Sequence, residues 1–307
     1  MQVFLTGGTG FVGREVIRRL RAAGHAIRLL ARKPDGRKVR ESVSRFGAEV
    51  CAGDVLNPDS LEAGVRGADA VIHLVGIISE AGRSTYENVH TQGTENMLAA
   101  GRKAGIKRFV HMSALGTRPG AVARYHRSKW DAEEAVRKSG LVYTIFRPSL
   151  IYGPEDQFVN LFARLIRWSP VLPVLMNGPA RFAPIPVETA AQAFVRALSE
   201  PKAIGQTYDL CGSESFTLEE ILDQILSVMG RKRLKVYIPL GLARAQAAVF
   251  EFIFARLLRV SPPLNRDQLI MLQEGNVGEP RPAQQLFGLE EVPFRKGIAQ
   301  YLLPCVT

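Results

Sequence analysis

Cysteine is scarce in this chain of 307 residues, and its three cysteines, Cys51, Cys211 and Cys305, lie far apart. Such spacing gives neither a disulfide framework nor a metal-ligand pattern, so we expect a reducing compartment and no bound metal. No apolar run reaches the roughly 18 residues of a membrane-spanning helix. No charged-then-apolar leader precedes the first predicted strand. These absences predict a cytoplasmic location.

The sequence also lacks zinc-finger spacing, a basic run interleaved with aromatic residues, and a Gly-x-Ser-x-Gly nucleophile elbow. These absences argue against a nucleic-acid partner and against a hydrolase built on that elbow. The net charge is nevertheless +11, from 40 Lys and Arg against 29 Asp and Glu. Because an excess of cations attracts anions, this charge is consistent with an anionic cofactor, an anionic lipid surface or an acidic protein partner.

A glycine-rich turn near the start of the chain carries the strongest functional signal. Residues 3–5 are apolar and predict a strand, and the apolar residues of 12–20 recur at helical spacing. The turn between them fits the dinucleotide fingerprint in two registers, Gly7-x-x-Gly10-x-x-Gly13 and Gly8-x-Gly10-x-x-Gly13. The alternative is a glycine-rich turn without a ligand.

Each glycine of this turn has a separate physical role. The first glycines permit a tight turn, Gly10 lets a pyrophosphate approach the backbone, and Gly13 lets the helix pack closely on the strand. The helix N-terminus then offers free N–H groups and a positive dipole end to the phosphates. The residues predicted to bind the cofactor through this turn are Gly7, Thr9, Gly10, Phe11, Val12 and Gly13.

Strand and helix patterns alternate through the first half of the chain. Predicted strands cover residues 3–5, 25–31, 48–52, 70–75, 106–112 and 141–146. Predicted helices include 85–104, 122–138 and a short helix that Asn57 is placed to cap. Repeated alternation of this kind predicts an α/β fold with a Rossmann-type, doubly wound parallel sheet.

The second half is less regular, and five prolines between Pro170 and Pro186 exclude long helices there. A helix over 187–198 and a strand over 206–210 would return the chain to the core. The predicted domains are an NAD(P)-binding core over 1–155, joined by 180–212, and a smaller C-terminal lobe over 156–179 and 213–307.

Two further helices are predicted in the second half. Thr217-Leu218-Glu219-Glu220 forms a capping box that starts a helix running to Met229. Residues 240–260 form a long helical pattern whose charged residues, among them Arg244, Glu251 and Arg259, lie on one narrow stripe. A helix that is apolar over most of its surface is usually buried, so we favour a place in the core. The alternative is a helix that lies on a membrane surface or binds a partner.

Ligands on a doubly wound sheet bind beyond the carboxyl ends of its strands. Outside the glycine turn, the residues predicted to bind the cofactor there are Arg32, Lys33, Asp54, Val55, Leu74, Val75, Gly76, Lys129 and Pro148. Asp54 has two interpretations that stay open, an acceptor for an adenine amino group and a residue of a turn.

The position after the second strand distinguishes the two nicotinamide cofactors. NAD sites usually place a carboxylate there to bind the ribose 2′-hydroxyl. This chain has Ala31-Arg32-Lys33 instead, and two cations suit a 2′-phosphate. The sequence therefore favours NADP(H) over NAD(H), with solvated loop charges as the alternative.

A tyrosine and a lysine form the candidate catalytic pair. Tyr125 and Lys129 are four residues apart, so on a helix they share one face. An ammonium and a positive nicotinamide ring nearby would lower the pKa of the phenol from its ordinary value near 10. Such a tyrosine can exchange a proton with a carbonyl or an alcohol. Ser113, which ends the fifth predicted strand, is the third candidate catalytic residue.

Several of these motifs together resemble the extended and atypical short-chain dehydrogenase/reductase superfamily, the NAD-dependent epimerase/dehydratase type. The resemblance covers residues 1–215 and is carried by 6–13, Gly53-Asp54, Asn88-Val89-x-x-x-Gly93-Thr94, Tyr125-x-x-x-Lys129 and 147–154. Residues 109–116 and Pro263-Leu264-x-Arg266-Asp267-Gln268-Leu269 are similar to one branch of it. That branch includes the nucleotide-binding accessory subunit of respiratory complex I and its bacterial relatives.

The resemblance implies two classes of function. In the first, the protein is an NADP(H)-dependent oxidoreductase or epimerase for an unknown small molecule; Tyr125 exchanges the proton, while Lys129 lowers its pKa and holds the ribose. In the second, it binds the dinucleotide without turnover in a structural, assembly or sensing role, associated with a respiratory complex or peripheral to the inner membrane. Ala114 supports the second class, because it stands where active members usually carry the substrate-orienting hydroxyl.

Overall fold

Strands and helices alternate along the chain in the computed structural model, which describes residues 1–176, 178–258, 260, 262 and 264–303. Arg259, Pro263 and Cys305 of the sequence analysis lie outside these residues, and so do the side chains of 255–257. The strands are β1 Gln2–Thr6, β2 Ala26–Ala31, β3 Glu49–Ala52, β4 Ala70–His73, β5 Arg108–Met112, β6 Tyr143–Pro148, β7 Ile151–Tyr152, β8 Val171–Leu175, β9 Arg181–Phe182, β10 Ile185–Pro186, β11 Gln206–Leu210, β12 Phe216–Thr217 and β13 Leu234–Ile238. The helices are α1 Phe11–Ala22, α2 Arg37–Phe46, α3 Pro58–Val65, α4 Gly93–Ala104, α5 Arg124–Arg137, α6 Val159–Trp168, α7 Val187–Arg196, α8 Leu218–Val228, α9 Leu240–Phe250, α10 Arg266–Glu274, α11 Arg281–Phe287 and α12 Phe294–Leu302.

The main sheet has seven strands in the order β11-β6-β5-β4-β1-β2-β3, and every pair in it is parallel. The strand order reverses between β1 and β4. Ligands of doubly wound sheets bind in the crevice at such a reversal. The predicted Rossmann-type sheet is therefore confirmed, and its crevice opens where the glycine turn leaves β1.

Apolar side chains cover both faces of the main sheet. On one face, α1 and α7 pack around Leu5, Ile17 and Phe194, which are fully buried. On the other, α3, α4 and α5 pack around Phe4 and Phe109. Burial on both faces explains why the central strands appear as continuous apolar runs in the sequence.

A second apolar cluster lies in the C-terminal part of the chain, where α6, α8 and α12 pack on β8. The predicted capping box is confirmed, because Thr217 accepts from the backbone N–H of Glu220 and Glu220 accepts from that of Thr217. The strands β8 and β13 form a separate two-stranded parallel sheet. Ala283 and Phe287 of α11 pack into the first cluster instead.

Three local predictions differ from the structure. The fourth strand ends at His73 rather than at residue 75, which leaves Leu74 and Val75 in the crevice loop. The helix predicted over 85–104 starts at Glu87, and its first six residues, Glu87–Gln92, are π-helical. Asn57 precedes α3 but its side chain caps nothing; Asp54 orders this turn instead, through the backbone N–H of Leu56.

The core interpretation of the helix at 240–260 is wrong. Its α-helical part, α9, continues as a π-helical segment to Leu257, and only Ala243 and Ala247 of α9 are buried. Two polar residues of this helix bond to α10, since Arg244 donates to Gln273 and Glu251 pairs with Arg266. Periodicity shows that a helix is apolar, but it does not show which side packs.

A buried carboxylate joins α5 to β6. Glu133 is fully buried and accepts from the guanidinium groups of Arg137 and Arg147 at 2.6–2.8 Å. A buried charge is tolerated only when it is paired and hydrogen-bonded. The network fixes the register of α5, which carries the predicted catalytic pair, against the carboxyl end of β6.

Candidate cofactor and catalytic site

The glycine turn after β1 has the geometry that its sequence predicts. Gly7 has a φ of +77°, and a Cβ on it would lie 2.9 Å from the carbonyl carbon of Leu74. A Cβ on Gly13 would lie 2.3 Å from the carbonyl oxygen of Gly7. These two positions therefore need glycine for the fold itself, whether or not a ligand binds.

Gly10 differs from these two glycines. A Cβ on Gly10 would meet only the Gly7 oxygen, at 3.2 Å, and no side chain caps α1 at Gly10. The protein therefore leaves space at Gly10 and unpaired N–H groups in the first turn of α1, which is what an anionic pyrophosphate requires. The ring of Phe11 lies against Gly153, where an added Cβ would be 3.1 Å from it. Val12 packs into the core.

Arg32 and Lys33 follow β2 at the next strand end. Both side chains are exposed, and within the described residues neither makes a hydrogen bond or an ion pair. The helix α2 begins a few residues later, and Gly36 supplies no side-chain cap there. The loop therefore offers two free cations beside an uncapped helix N-terminus, and both features suit a phosphate.

Asp54 and Val55 follow β3. One carboxylate oxygen of Asp54 accepts from the N–H of Leu56 at 3.0 Å, which supports the turn role. Val55 is buried against Gly93, where a Cβ would lie 3.0 Å from the valine methyl. The second carboxylate oxygen of Asp54 makes no hydrogen bond within the described residues, so the adenine contact stays a prediction.

The loop after β4 places Gly76 next to Lys129, and both are predicted site residues. Leu74 donates to the carbonyl of Thr6, and a Cβ on Gly76 would lie 3.2 Å from the Nζ of Lys129. Any side chain at residue 76 would therefore crowd the lysine. The crevice loop and α5 meet at this point.

Lys129 is almost fully buried on α5 and donates to the carbonyl of Met112 at 2.9 Å. Burial lowers the pKa of its ammonium from 10.5 to about 8, and the nearby carboxylate of Glu133 opposes part of that shift. At pH 7 most Lys129 side chains are therefore protonated, although their pKa lies much closer to neutrality than that of an exposed lysine. Such a poised buried cation is typical of functional sites.

Tyr125 lies one turn earlier on α5, enclosed by other rings. The rings of His90, Tyr86 and His126 meet it edge-on at centroid distances of 5.2–5.8 Å. Burial raises the pKa of Tyr125 to about 12. The protein alone therefore does not lower this pKa, because burial disfavours the charged phenolate.

His90 is a positioning residue that the sequence analysis did not identify. Its Nε2 accepts from the N–H of Ile77 at 3.0 Å, so Nδ1 carries the proton and faces Ser128 Oγ at 2.8 Å. Ser128 in turn donates to the carbonyl of Tyr125. Burial holds the pKa of His90 well below its ordinary value. A neutral histidine thus links the crevice loop to the first turn of α5.

Asp267 of α10 also holds α5, and the sequence analysis gave it no role. Its two carboxylate oxygens accept from the backbone N–H groups of Arg124 and Tyr125 at 2.7 and 2.9 Å. An Arg118–Glu274 ion pair fastens the preceding loop to the same helix. The resemblance motif at 263–269 contained this aspartate, but only the fold shows what it caps.

Unpartnered polar atoms lie at the carboxyl end of β5. Ser113 Oγ, Thr117 Oγ1 and His126 Nδ1 are buried and find no hydrogen-bond partner in the described residues. Buried polar atoms of this kind are rare unless a ligand or water completes them. Ala114 beside them is also buried and offers no donor. Pro148 is buried at the end of β6, where its carbonyl accepts from Leu115.

Two other histidines are core residues. His73 is fully buried, and its ring nitrogens face the hydroxyls of Thr6 and Thr94 at 2.7 and 3.2 Å. His111 stacks on His73 with a centroid distance of 5.6 Å. In the described part of the chain, no three His, Cys, Asp or Glu side chains group as metal ligands.

Sheet order, crevice and glycine turn together define a Rossmann-class protein, and known proteins agree. A family model described as NAD(P)H-binding matches residues 7–161. The ceramide reductase of Caulobacter vibrioides is 34% identical over 238 residues, 77% of this chain and 73% of that protein. Subunit 9 of the mitochondrial NADH dehydrogenase (ubiquinone) 1 alpha subcomplex from Arabidopsis thaliana is 29% identical over 274 residues, 88% of this chain and 67% of that protein.

A solved structure agrees on the fold. The NADPH-dependent quinone oxidoreductase from Escherichia coli, complexed with NADPH, has a TM-score of 0.74 at 18% identity, over 98% of this chain and 99% of that one. The chain belongs to the NAD(P)H-binding, extended short-chain dehydrogenase/reductase family, in the branch related to the complex I accessory subunit. Among the described residues, no helix has the length and apolar character needed to cross a bilayer.

The first testable prediction concerns the glycine turn. Gly10→Val should keep the fold, since its Cβ meets one protein atom at 3.2 Å, but should weaken dinucleotide binding by roughly 100-fold, or about 3 kcal/mol. Calorimetric titration measures the affinity, and thermal unfolding measures the fold. The control, Gly13→Ala, should lower the melting temperature, because its Cβ would overlap Gly7. Unchanged affinity in Gly10→Val would place the site elsewhere.

The second prediction concerns the buried lysine. Because the pKa of Lys129 is about 8 when folded and 10.5 when exposed, the unfolded chain binds this proton more tightly. The free-energy cost of burying the charged ammonium is therefore full below pH 8, and it disappears as the pH rises through 10.5. Lys129→Met should therefore raise the free energy of unfolding at pH 7 by up to roughly 3 kcal/mol, less about 1 kcal/mol for the lost hydrogen bond.

Urea unfolding at pH 7 and pH 10.5 checks this expectation. The stability gain of Lys129→Met over the unmodified protein should shrink between the two pH values. The exposed Lys202→Met serves as the control and should show little change at either pH. An equal stability gain of Lys129→Met at both pH values would contradict a free-energy cost of burying the charged ammonium.

Proposed function

We propose that this protein is an NADP(H)-dependent reductase that converts a carbonyl group to an alcohol at the carboxyl end of β5. One observation carries the proposal: the poised, buried Lys129, one turn after Tyr125 on α5, donates to Met112, the residue before the unpartnered buried hydroxyl of Ser113. A polar cluster of this kind serves no packing purpose, so a bound molecule is the natural partner for its free atoms.

The residues present fit a nicotinamide cofactor. The open space at Gly10 and the uncapped start of α1 suit a pyrophosphate, and the loop at Gly76 leads from them to Lys129. When bound, the nicotinamide supplies the hydride. The chain then has to hold the ribose, orient the carbonyl and deliver a proton.

Tyr125 is the proposed proton donor. Its hydroxyl is neutral at pH 7, which is the form needed to protonate an oxygen that gains negative charge. Lys129 is the proposed electrostatic partner, because its ammonium favours the phenolate left behind. Ser113 is the proposed hydrogen-bond donor to the substrate oxygen, since its Oγ is buried without a partner.

The substrate class proposed is a carbonyl on an apolar molecule. The relative named ceramide reductase supports reduction and a lipid-like substrate. The missing hydroxyl at Ala114 leaves fewer donors for the developing oxyanion, and the loss of one such donor typically costs 10²- to 10³-fold in rate, so turnover should be slow.

The third prediction tests the cofactor preference. Arg32→Ala should weaken NADPH binding about tenfold or more, because a charge-assisted hydrogen bond contributes roughly 1.5–3 kcal/mol. NADH binding should change little, since NADH has no 2′-phosphate. Fluorescence titration with both cofactors measures this, with Arg45→Ala on the neighbouring helix as the control. Equal affinity of the unmodified protein for NADH and NADPH would exclude the preference.

The fourth prediction tests catalysis. With a panel of long-chain ketones, NADPH oxidation should be slow but measurable, and Tyr125→Phe should lower kcat/KM by roughly 10²- to 10⁴-fold. Nucleotide affinity should not change, because the phenyl ring keeps the packing. Tyr143→Phe on β6 is the matched control. A rate that survives Tyr125→Phe would place the chemistry elsewhere.

A second function is supported by the relatives named as complex I subunits and by Ala114. In it the protein binds the dinucleotide tightly and acts as a structural or assembly component. A cellular assay separates the two: a phenotype that survives Tyr125→Phe and Lys129→Ala but is lost in Gly10→Val would favour nucleotide binding without turnover.

A further inference from the structure

The small sheet of β8 and β13 has an apolar outer face. Its inner face packs on α8, where Leu172 and Val174 are buried and Lys235 pairs with Glu219. The opposite face is formed by the alternate residues, which the parallel register places side by side. All six are apolar: Val171, Pro173, Leu175, Leu234, Val236 and Ile238. Leu234 is 68% exposed and Val236 is 44% exposed, so this face is open along the start and the middle of β13.

The helix α9 continues this apolar surface. Ala243 and Ala247 pack against Leu175 and Ile238 at the end of the sheet. The outward stripe runs along i, i+3, i+7 and i+10, which are Leu242, Ala245, Val249 and Phe252. Leu242, Val249 and Phe252 are more than half exposed. The exposed apolar residues of this sheet and of the adjoining helix are called here the outer face of the lobe.

Cations border the outer face at the start of both strands. Arg167 precedes β8, Arg231 and Lys232 precede β13, and within the described residues their exposed side chains form no ion pair. Two hydrogen bonds hold these segments together, from Arg233 Nε to the carbonyl of Ile166 and from Leu234 N–H to the carbonyl of Pro170.

Two segments of this region also lack acidic residues. Residues 157–187 contain three arginines and no Asp or Glu, and 224–250 contain five cations and no Asp or Glu. Trp168, beside Arg167, is 83% exposed. Exposed tryptophan beside unpaired arginine and lysine is typical of residues at the boundary between lipid and water.

We propose that the outer face of the lobe docks on an anionic lipid bilayer, with Phe252 and Trp168 among the acyl chains and Arg167, Arg231 and Lys232 at the headgroups. The apolar area supplies a hydrophobic contribution and the cations supply an electrostatic one, and stable peripheral binding usually needs both. The docking is independent of the proposed reductase function, because it uses none of the residues of the crevice.

A second copy of this chain fits the face less well. A two-fold dimer through it would place the same patch on both sides. With the two-fold axis near the cationic rim, the rim of one copy would meet the rim of the other, with no acidic residue of 157–187 or 224–250 to compensate. Phosphatidylglycerol headgroups, in contrast, supply the missing negative charge.

Vesicle co-sedimentation tests the proposal on the full chain. Binding should be strong to vesicles of 70% phosphatidylcholine and 30% phosphatidylglycerol, weak to phosphatidylcholine alone, and reduced by salt. Val249→Glu/Phe252→Glu should abolish it. Arg167→Gln/Arg231→Gln/Lys232→Gln should weaken it by roughly fivefold per cation removed. The control, Lys202→Gln/Ile204→Glu, alters an exposed cation and an exposed apolar residue near β11 and should bind normally.

Trp168 provides a direct readout of the contact. The chain has two tryptophans, so Trp130→Phe leaves Trp168 as the sole fluorophore. Its emission should shift to shorter wavelength with anionic vesicles, while dinucleotide affinity stays unchanged. Two results would overturn the proposal. One is no vesicle binding by the unmodified protein, and the other is a dimer that Val249→Glu/Phe252→Glu converts to a monomer, which would make a second copy the occupant.

Discussion

The carboxylate of Asp267 is the contact on which the candidate site depends most. It accepts from two backbone N–H groups at the start of α5, and these groups have no partner inside the helix. A negative charge at a helix N-terminus also interacts favourably with the helix dipole. Since Tyr125 lies in this first turn, a residue from the C-terminal part of the chain holds the backbone that carries the phenol.

The same helix is held from two other sides. Glu133 ties its middle to β6 through Arg147, and His90 ties its first turn to the crevice loop through Ser128. Each contact comes from a different segment; the His90–Ser128 pair is buried, and the Asp267 and Arg147 contacts are partly exposed. Three separate polar contacts therefore hold α5 at the position where Lys129 is buried. That burial lowers the pKa of the Lys129 ammonium.

Local sequence was sufficient to predict the central part of the fold. The alternation of strand and helix patterns predicted the parallel sheet, and the turn at Gly7–Gly13 predicted the crevice. These features depend on periodicity and on glycine geometry, both of which act over a few residues. The loop cations Arg32 and Lys33 could also be predicted locally, because their position follows directly from the end of β2.

Other features depend on residues distant in sequence, and the sequence alone did not show them. Asp267 caps a helix that begins more than 140 positions earlier, and no local pattern marks that pairing. The π-helical start of α4 shifts the register that places His90, and periodicity predicts an ordinary helix there. Burial also raises the pKa of Tyr125 in the protein alone, and the spacing between Tyr125 and Lys129 does not reveal how deeply the phenol is enclosed.

The distance between Tyr125 and Asp267 along the chain has a consequence for synthesis. All seven strands of the main sheet precede residue 211, so the sheet can form while the chain is still being made. The first turn of α5 gains its cap only after residue 267 has left the ribosome. A nascent chain can therefore hold a folded sheet with an unfinished site until residue 267 becomes available.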